Sequence, residues 1–216
     1  MTDFLQLVLS GLATGSIYAL AALGFTLLWQ ASGTINFAQG EFVMLPAFAM
    51  LACLSFGAPL GIAFVLTVLL AVVVLGWGFK RGVVDPLLRF GMMPIVVATI
   101  GLSIAMRNGV RAGFSAEAHP FPGLFADKLF NIAGVTVTLA DIGTFALAVA
   151  IVLATQAFLS RTVTGRAMQA VAQNTESAQV LGIDVPRMVF YTFAINATLA
   201  VAAALLVTPT YLAKFD

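Results

Sequence analysis

The chain has 216 residues, of which 61% are hydrophobic and 9% are charged, and its formal net charge is +1. Soluble domains are about 45–50% apolar and about 25% charged, so this composition leaves too little polar surface for a water-soluble globule. The small net charge also argues against a polyanion such as nucleic acid as a partner. The composition therefore predicts an integral membrane protein in contact with lipid.

Six apolar segments are candidates for membrane-spanning helices. A helix that crosses about 30 Å of hydrocarbon needs about 20 mostly apolar residues. The runs are continuous rather than alternating, which excludes a transmembrane barrel. We expect an all-α polytopic transmembrane bundle of about six spanning helices, with residues 1–216 as a single domain. The predicted spans are Phe4–Trp29, Phe42–Ser55 with a polar lead-in from Ile35, Leu60–Phe79, Met92–Met106, Ile142–Leu159 and Met188–Thr208.

The first span carries small residues at four-residue spacing, namely Gly11, Gly15 and Ala19. A face of small side chains lets the backbones of two helices approach closely. Packing within the chain is the simpler explanation for this face. Contact with a second membrane subunit is the alternative.

The second span begins in the stretch "INFAQGEF", which follows a polar turn. Asn36 and Gln39 have the spacing of a capping box, with Asn in place of Ser or Thr. Glu41 lies near the start of the span, where a carboxylate is costly and therefore marks a candidate functional site. Two interpretations stay open. Glu41 is either an interfacial acid satisfied by the helix dipole and water, or part of a helix break beside a translocation path.

Polar side chains in the fourth and sixth spans are candidates for the same path. Interhelical hydrogen bonding also explains such residues, but a mid-span amide such as Asn196 needs several partners. Arg107 and Arg111, one turn apart, are expected to anchor the end of the fourth span by snorkelling. Attraction of an acidic protein surface is the alternative for these arginines. The candidate translocation path is Asn36, Gln39, Glu41, Thr99 and Asn196.

The polar connections between spans give an orientation. Residues 80–90 and 160–187 each hold three Lys or Arg residues, and with six spans both connections lie on one side of the membrane. Cytoplasmic connections carry an excess of Lys and Arg, so both are predicted to be inside and the N-terminus outside. Residues 112–140 then form the largest external loop, with turn residues in "HPFPG" and a strand-like alternation in "VTVTL".

The stretch "VAQNTESAQVLGIDVP" between the fifth and sixth spans carries start and stop signals of a helix. Asn174 is a suitable N-cap, and Glu176 falls in the first turn, where the helix dipole favours an acid. Gly182 suits the left-handed position that follows a helix end. These signals predict a short helix over Thr175–Leu181.

A helix of this length is marginal on its own in water, so it must dock on another surface. Ala178 and Leu181 are expected to face one partner surface, with Glu176 and Gln179 facing elsewhere. The partner surface is either the chain's own bundle or another protein.

The same stretch is similar to the E-A-A-x-x-x-G coupling loop of ABC importer permeases, with Ser177 in place of the second Ala. Three longer stretches, Gly11–Leu45, Gly101–Asn108 and Gly165–Asp184, resemble successive parts of the branched-chain amino-acid permease family. The resemblance implies a multi-pass subunit of the bacterial inner membrane. It also implies three protein partners: cytoplasmic ABC ATPase subunits, a second homologous permease subunit and an external solute-binding protein.

The resemblance also assigns roles. Residues 160–187 would form a cytoplasmic coupling loop that sits in a cleft of the ATPase. The permease would need no cofactor of its own, because the partner uses the ATP, and the sequence holds no G-x-x-x-x-G-K-[S/T] phosphate loop. Family members continue for several spans past the position of Asp216, so the permease domain is expected to be incomplete at the C-terminus. The coupling residues implied are Asn174, Glu176, Ala178, Gly182 and Asp184.

Two other classes of function were weighed against an importer subunit. A secondary carrier or channel would need no ATPase, but the spans hold almost no charged pairs to bind a coupling ion. An intramembrane enzyme needs a nucleophile with a base, paired acids or a metal cluster. The single His119 lies outside the spans and Cys53 has no partner, so we expect neither catalysis nor a metal site. The resemblance to the permease family implies leucine-type amino acids, urea or short amides as candidate substrates.

Overall fold

The computed structural model describes residues 2–114, 121–125, 129–132 and 135–211, so that His119 lies outside the described residues. Helices make up most of this part of the chain, which confirms the predicted all-α polytopic bundle. The elements are α1 (Thr2–Ser32), α2 (Gln39–Ser55), α3 (Leu60–Ala71), two π-helical segments (Val72–Gly78 and Lys80–Val84), α4 (Asp85–Leu88), α5 (Met92–Gly113), β1 (Leu129–Ile132), β2 (Val135–Thr138), α6 (Leu139–Arg161), α7 (Val163–Gln173), α8 (Thr175–Val180) and α9 (Val185–Tyr211).

Five helices of the described chain are long and apolar enough to cross a membrane. The predicted second span is the exception, because α2 has 17 residues and rises only about 26 Å. All six predicted apolar segments are therefore helical, and one of them is short. The five long helices are Phe4–Ser32, Leu60–Leu88, Met92–Gly113, Leu139–Arg161 and Val185–Pro209.

The third span is longer than the sequence predicted. Residues 80–90 were expected to form a polar connection, but the helix continues through two π-helical segments to Leu88. Lys80 and Asp85 form an ion pair on the helix surface, with 2.9 Å between Nζ and Oδ1. Charges that pair along a helix do not need to leave it, so the charged run stays helical. The turn to α5 comes at Gly91, whose φ of 94° is open to glycine.

α9 is the central helix of the bundle. The most apolar stretch of this helix is 67% buried, compared with 17–28% for the other four long helices. α9 packs against α1, α2, α3, α7 and the first π-helical segment. The rings of Phe42 on α2 and Phe193 on α9 both contact Phe79, which lies between the two π-helical segments, with centroid separations of 5.0 Å and 5.9 Å. These contacts fix the position of α2 beside α9.

The small residues of α1 do not pack against the residues that the structure describes. Gly11, Gly15 and Ala19 are exposed, and a Cβ atom built on either glycine would meet nothing within 4 Å. The buried face of α1 is a different one, which includes Ile17 and Leu20. Packing against the described part of the chain is therefore the wrong explanation for this small-residue face.

The connection from α5 to α6 contains a short antiparallel hairpin. β1 pairs with β2 in the register Leu129↔Thr138 to Ile132↔Val135. The strand-like alternation in the sequence is thus confirmed for Val135–Thr138. The hairpin leads directly into α6, because the Thr138 hydroxyl accepts a hydrogen bond from the backbone N–H of Asp141 at 3.0 Å and caps that helix.

Candidate functional site

A helix break between α1 and α2 lies inside the bundle rather than at its surface. Residues 33–38 are not helical, yet Thr34 and Asn36 are buried. Buried backbone groups need hydrogen-bond partners. The N–H of Phe37 donates to the Thr99 hydroxyl on α5 at 3.3 Å, which ties the break to a second helix. The Thr99 hydroxyl in turn donates to the carbonyl of Val96 at 2.9 Å.

Asn36 takes part in the break but does not cap α2. The helix begins at Gln39, and its N-cap is Ala38, whose side chain makes no capping hydrogen bond. The Asn36 side-chain oxygen instead accepts from the N–H of Ala38, two residues on, at 3.0 Å. The predicted capping box is therefore wrong, because Asn36 forms a local turn ahead of the helix. Its Nδ2 is buried without a hydrogen-bond partner among the described residues.

Gln39 and Asn196 form an amide pair between α2 and α9, in which Asn196 is buried and Gln39 is partly buried. Gln39 Nε2 donates to Asn196 Oδ1 at 3.0 Å, and Asn196 Nδ2 donates to Gln39 Oε1 at 3.4 Å. α1 closes the same point at Gly24, where any Cβ atom would collide with the Asn196 side-chain oxygen. The mid-span amide thus has the partner that its position requires, and Gly24 is the close-approach residue that the sequence analysis missed.

This contact also shows how deep α2 begins. Gln39 lies at the level of Gly24, and Gly24 precedes the end of α1 at Ser32 by eight residues, or about 12 Å of helix. The chain therefore leaves α1, turns back into the bundle along residues 33–38, and starts α2 at mid-depth. α2 is short because its first turn lies inside the bundle.

Glu41, in the first turn of α2, is paired with Arg107 on α5. Arg107 Nη2 donates to Glu41 Oε1 at 2.6 Å, and Arg107 Nε donates to the same oxygen at 3.2 Å. The Glu41 side chain is 5% exposed, whereas that of Arg107 is 55% exposed. Snorkelling alone is thus the wrong account of Arg107, because the guanidinium neutralises a buried acid. No sequence signal points to this pair, because its members are 66 residues apart.

A groove opens beside this ion pair, and we call it the α5 groove. Its volume is about 440 Å³. It combines two guanidinium groups, an amide and a hydroxyl with an apolar wall, and no carboxylate is among its lining side chains in the described part of the chain. The lining residues are Phe37, Ile100, Ser103, Ile104, Arg107, Asn108 and Arg111.

The five residues predicted for the path are therefore gathered around the start of α2. Asn36, Gln39 and Glu41 come from the break and the first turn of α2, whereas Thr99 and Asn196 come from α5 and α9. Two of them contact a residue that lines the α5 groove: the Glu41 carboxylate pairs with Arg107, and the Thr99 hydroxyl accepts from the N–H of Phe37. The described residues contain no group of three or more His, Cys, Asp or Glu side chains that could hold a metal ion.

The second predicted site, between α6 and α9, is a pair of helices rather than a loop. α7 is an 11-residue helix that the sequence analysis did not separate from the connection. It turns sharply away from α6 at Gly165, where a Cβ atom would collide with the backbone of Phe158 and Leu159. The Thr162 hydroxyl caps α7 by accepting from the N–H of Gly165 at 2.9 Å.

Both predicted end signals of α8 are confirmed. The Asn174 side-chain oxygen accepts from the N–H of Ser177 at 2.8 Å. At the other end Gly182 has φ 79°, and its N–H donates to the carbonyl of Gln179 at 3.0 Å. The next N–H, that of Ile183, donates to Ala178 at 3.0 Å, which completes a Schellman motif. Asp184 then caps α9 by accepting from the N–H of Arg187 at 3.1 Å.

The two faces of α8 differ from those predicted. Ala178 is buried against the chain's own bundle, where α8 contacts α7 and α9. Val180 and Leu181 are 87% and 78% exposed at the tip of the helix. Ala178 and Leu181 were expected to share one surface, and that prediction is wrong because the Schellman turn ends the helix before Leu181. Glu176 and Asp184 are exposed on either side of the tip.

Comparison with known proteins agrees with these features. A family model described as branched-chain amino acid transport system / permease component matches residues 7–215. The chain is 29% identical to the high-affinity branched-chain amino acid transport system permease protein BraD of Pseudomonas aeruginosa, over 96% of this chain and 72% of that protein. It is also 29% identical to the permease protein LivH of Escherichia coli K12, over 96% and 71% of the two chains. No solved structure matches the chain significantly.

The family match covers almost all of the helical bundle, including α2, α5, α8 and α9. The chain is a multi-pass membrane protein by its helices. It belongs to the family of branched-chain amino acid transport system permease components.

Proposed function

We propose that this chain is the permease subunit of an ABC importer that moves branched-chain amino acids or related small polar solutes across the bacterial inner membrane. The relatives BraD and LivH are permease proteins of high-affinity branched-chain amino acid transport systems. The single observation that carries the proposal is α8, a short capped helix whose apolar tip is exposed outside the membrane-spanning helices.

The tip of α8 is suited to enter a cleft on a cytoplasmic ATPase. Exposed Val180 and Leu181 would supply an apolar anchor, and Glu176 and Asp184 would supply polar contacts around it. Ala178 anchors the helix to α7 and α9 from the other side. A push on the tip would then reach the central helix α9, so ATP used by the partner would do mechanical work on the permease, which itself needs no cofactor.

Basic residues near α7 and α8 support an orientation of the bundle in the membrane. Arg161 and Arg187 flank α7 and α8, Arg166 lies on α7, and basic residues are enriched on the cytoplasmic side. We therefore place residues 160–187 in the cytoplasm and the N-terminus outside. Residues 112–140 would then face an external solute-binding protein.

A second homologous permease subunit would complete the membrane domain. The exposed small-residue face of α1, formed by Gly11, Gly15 and Ala19, permits a close helix–helix contact that nothing in the described chain fills. The translocation path would pass the start of α2, where Asn36, Gln39, Glu41, Thr99 and Asn196 gather. Broken helices with mid-membrane termini are a common way to build transport sites.

The decisive experiment is purification of the affinity-tagged chain in mild detergent from cells that also express the genes adjacent to its own gene. We expect a P-loop ATPase to copurify. Leu181→Glu should lower its recovery about tenfold or more, because an anchor residue at an interface contributes about 2 kcal/mol or more. The matched control is Phe56→Glu, which changes an 89% exposed residue at the opposite end of the bundle and should leave recovery unchanged.

Uptake assays separate this function from that of a carrier or channel. Labelled leucine should accumulate only while ATP is present, and Glu176→Arg should abolish accumulation without loss of the permease from the membrane. Uptake that continues after ATP depletion would instead identify a carrier or channel. ATPase recovery that is unchanged by Leu181→Glu would show that α8 is not the docking element.

A further inference from the structure

We propose that the α5 groove is a binding site for the carboxylate of an apolar amino acid and that Arg107 is the carboxylate-binding residue. This inference rests on the proposed function, because it concerns a solute that the importer would carry. The two properties that carry it are the geometry of the Glu41–Arg107 pair and the composition of the groove.

One edge of the Arg107 guanidinium is hydrogen-bonded to Glu41, and the other edge lacks a hydrogen-bond partner in the described part of the chain. A guanidinium has five N–H donors in a planar fork. Two of them, one on Nε and one on Nη2, go to a single oxygen of Glu41. The other three have no partner within the described part of the chain. Because the side chain is 55% exposed and lines the groove, its free edge can bind a carboxylate with two parallel hydrogen bonds.

Glu41 acts as a positioning residue for this site. It is 5% exposed and does not line the groove, so a solute would not reach it. Its carboxylate fixes the guanidinium plane from behind, from the first turn of a helix that begins at mid-depth. A fork held in this way loses little side-chain entropy when it binds a second anion. The pair is neutral as a unit, and the described side chains that line the groove include two guanidinium groups and no carboxylate.

The rest of the groove matches the other parts of an apolar amino acid. Phe37, Ile100 and Ile104 form an apolar wall that suits a branched aliphatic side chain. Asn108 Nδ2 donates to the carbonyl of Ile104 at 2.8 Å, which leaves Asn108 Oδ1 as an acceptor for an ammonium group. The volume of about 440 Å³ lies within the range of about 300–1,000 Å³ that is usual for small-molecule sites.

A lipid-facing position would not suit this surface. A guanidinium at membrane depth is costly, and it normally faces the bundle interior or a water-filled cavity. Arg107 lies six residues, or about 9 Å of helix, before the end of α5 at Gly113. In the proposed orientation that end is external, so the groove lies where a solute released by the binding protein would enter.

The test is binding of labelled leucine to the purified importer in detergent, without the external binding protein, by scintillation proximity. Unlabelled leucine and 4-methylpentanoate should compete, because both carry the carboxylate and the branched chain. Leucinamide should compete about ten- to hundredfold more weakly, since it lacks the charge-assisted hydrogen bonds of the carboxylate. Equal competition by leucinamide and leucine would overturn the proposal.

Three variants locate the site. Glu41→Gln combined with Arg107→Gln removes both charges together and should abolish the preference for 4-methylpentanoate over leucinamide. Arg107→Lys keeps the ion pair but removes the fork, and it should weaken leucine binding about tenfold or more. Arg81→Gln removes an exposed positive charge outside the groove and should bind leucine as the unchanged protein does. If the double variant fails to fold, Arg107→Lys alone decides the outcome.

Failure of this inference differs from failure of the proposed function. Leucine binding that survives Arg107→Lys, with ATP-dependent uptake intact, would exclude the α5 groove and leave the importer in place. Absence of both ATPase copurification and ATP-dependent uptake would overturn the proposed function. Absence of leucine binding in the unchanged protein that still imports leucine would also exclude the groove.

Discussion

The first turn of α2 makes two polar contacts that differ in kind. Gln39 meets Asn196 in a neutral amide pair that is closed on its third side by Gly24. Glu41, two residues later, meets Arg107 in a charged pair whose guanidinium opens on the α5 groove. One contact lies within the packing of α1, α2 and α9, and the other lies between α2 and the peripheral helix α5.

The difference indicates that the two contacts have different roles. A neutral amide pair whose members bond to each other defines where two helices meet, but it offers a ligand no charge. A charged pair with one exposed member is neutralised on one side and still presents donors on the other. We infer that the amide pair sets the depth at which α2 begins and that the charged pair gives the site its chemistry.

The largest effect on stability is expected when Arg107 is removed from the Glu41–Arg107 pair and Glu41 is kept. Arg107→Ala leaves the buried carboxylate of Glu41 without its counter-charge, and unpaired buried charges cost about 3–5 kcal/mol. Because Arg107 is 55% exposed, we expect a loss near the lower end, about 3 kcal/mol. SDS titration of the purified chain in mixed micelles measures the free energy of unfolding.

The control for this variant is the combination with Glu41→Gln, which removes the charge that Arg107→Ala would leave unpaired. It should recover most of the lost stability, because replacing both partners avoids an uncompensated group. If the single and double variants are equally destabilised, the cost arises from lost packing of the arginine rather than from charge.

The second largest effect on stability is expected where Gly24 of α1 packs against the Gln39–Asn196 pair. Gly24→Leu places a side chain where even a Cβ atom collides with the Asn196 amide oxygen. Overpacking of this kind costs about 1–3 kcal/mol, so the thermal unfolding temperature in detergent should fall. Gly61→Leu is the matched control, because this glycine is exposed in α3 and a Cβ atom there meets nothing within 4 Å. Equal losses for the two variants would mean that α1 does not approach α9 at Gly24.

Local features of the fold could be predicted from the sequence. The six apolar segments, the alternation of Val135–Thr138 and the end signals of α8 at Asn174 and Gly182 depend on neighbouring residues, and the structure has all of them. A cap or a hydrophobic period acts over one to four residues, so a single sequence contains the information needed. The same reasoning identified Asn196 as an amide that requires a partner.

Features that depend on packing could not be predicted. Nothing near Glu41 in the sequence points to Arg107, and nothing near Asn36 shows that the chain turns back into the bundle before α2 begins. The interior position of Ala178 and the exposure of Gly11 depend on which helix lies beside each face. Gly24 was the one available signal, because a glycine within a span permits close approach, but the approaching residue cannot be named from sequence.

The smallest effect is expected from a double-mutant cycle on the amide pair. Gln39→Met and Asn196→Leu replace each amide with an apolar side chain of similar size, and the coupling between them measures their shared hydrogen bonds. Interhelical hydrogen bonds in membrane proteins average about 0.6 kcal/mol, so we expect a coupling energy of about that size. The free energies of unfolding of the four proteins give it directly.

The same variants also test whether the two contacts have different roles. If the amide pair only sets the start of α2, the double variant Gln39→Met/Asn196→Leu should keep the preference for 4-methylpentanoate over leucinamide in the leucine-binding assay. Loss of that preference, with the fold intact, would show that the amides contact the solute. The two polar contacts of α2 would then belong to one continuous binding site. A neutral pair that served only as a helix contact would not change the preference of Arg107 for a carboxylate over an amide.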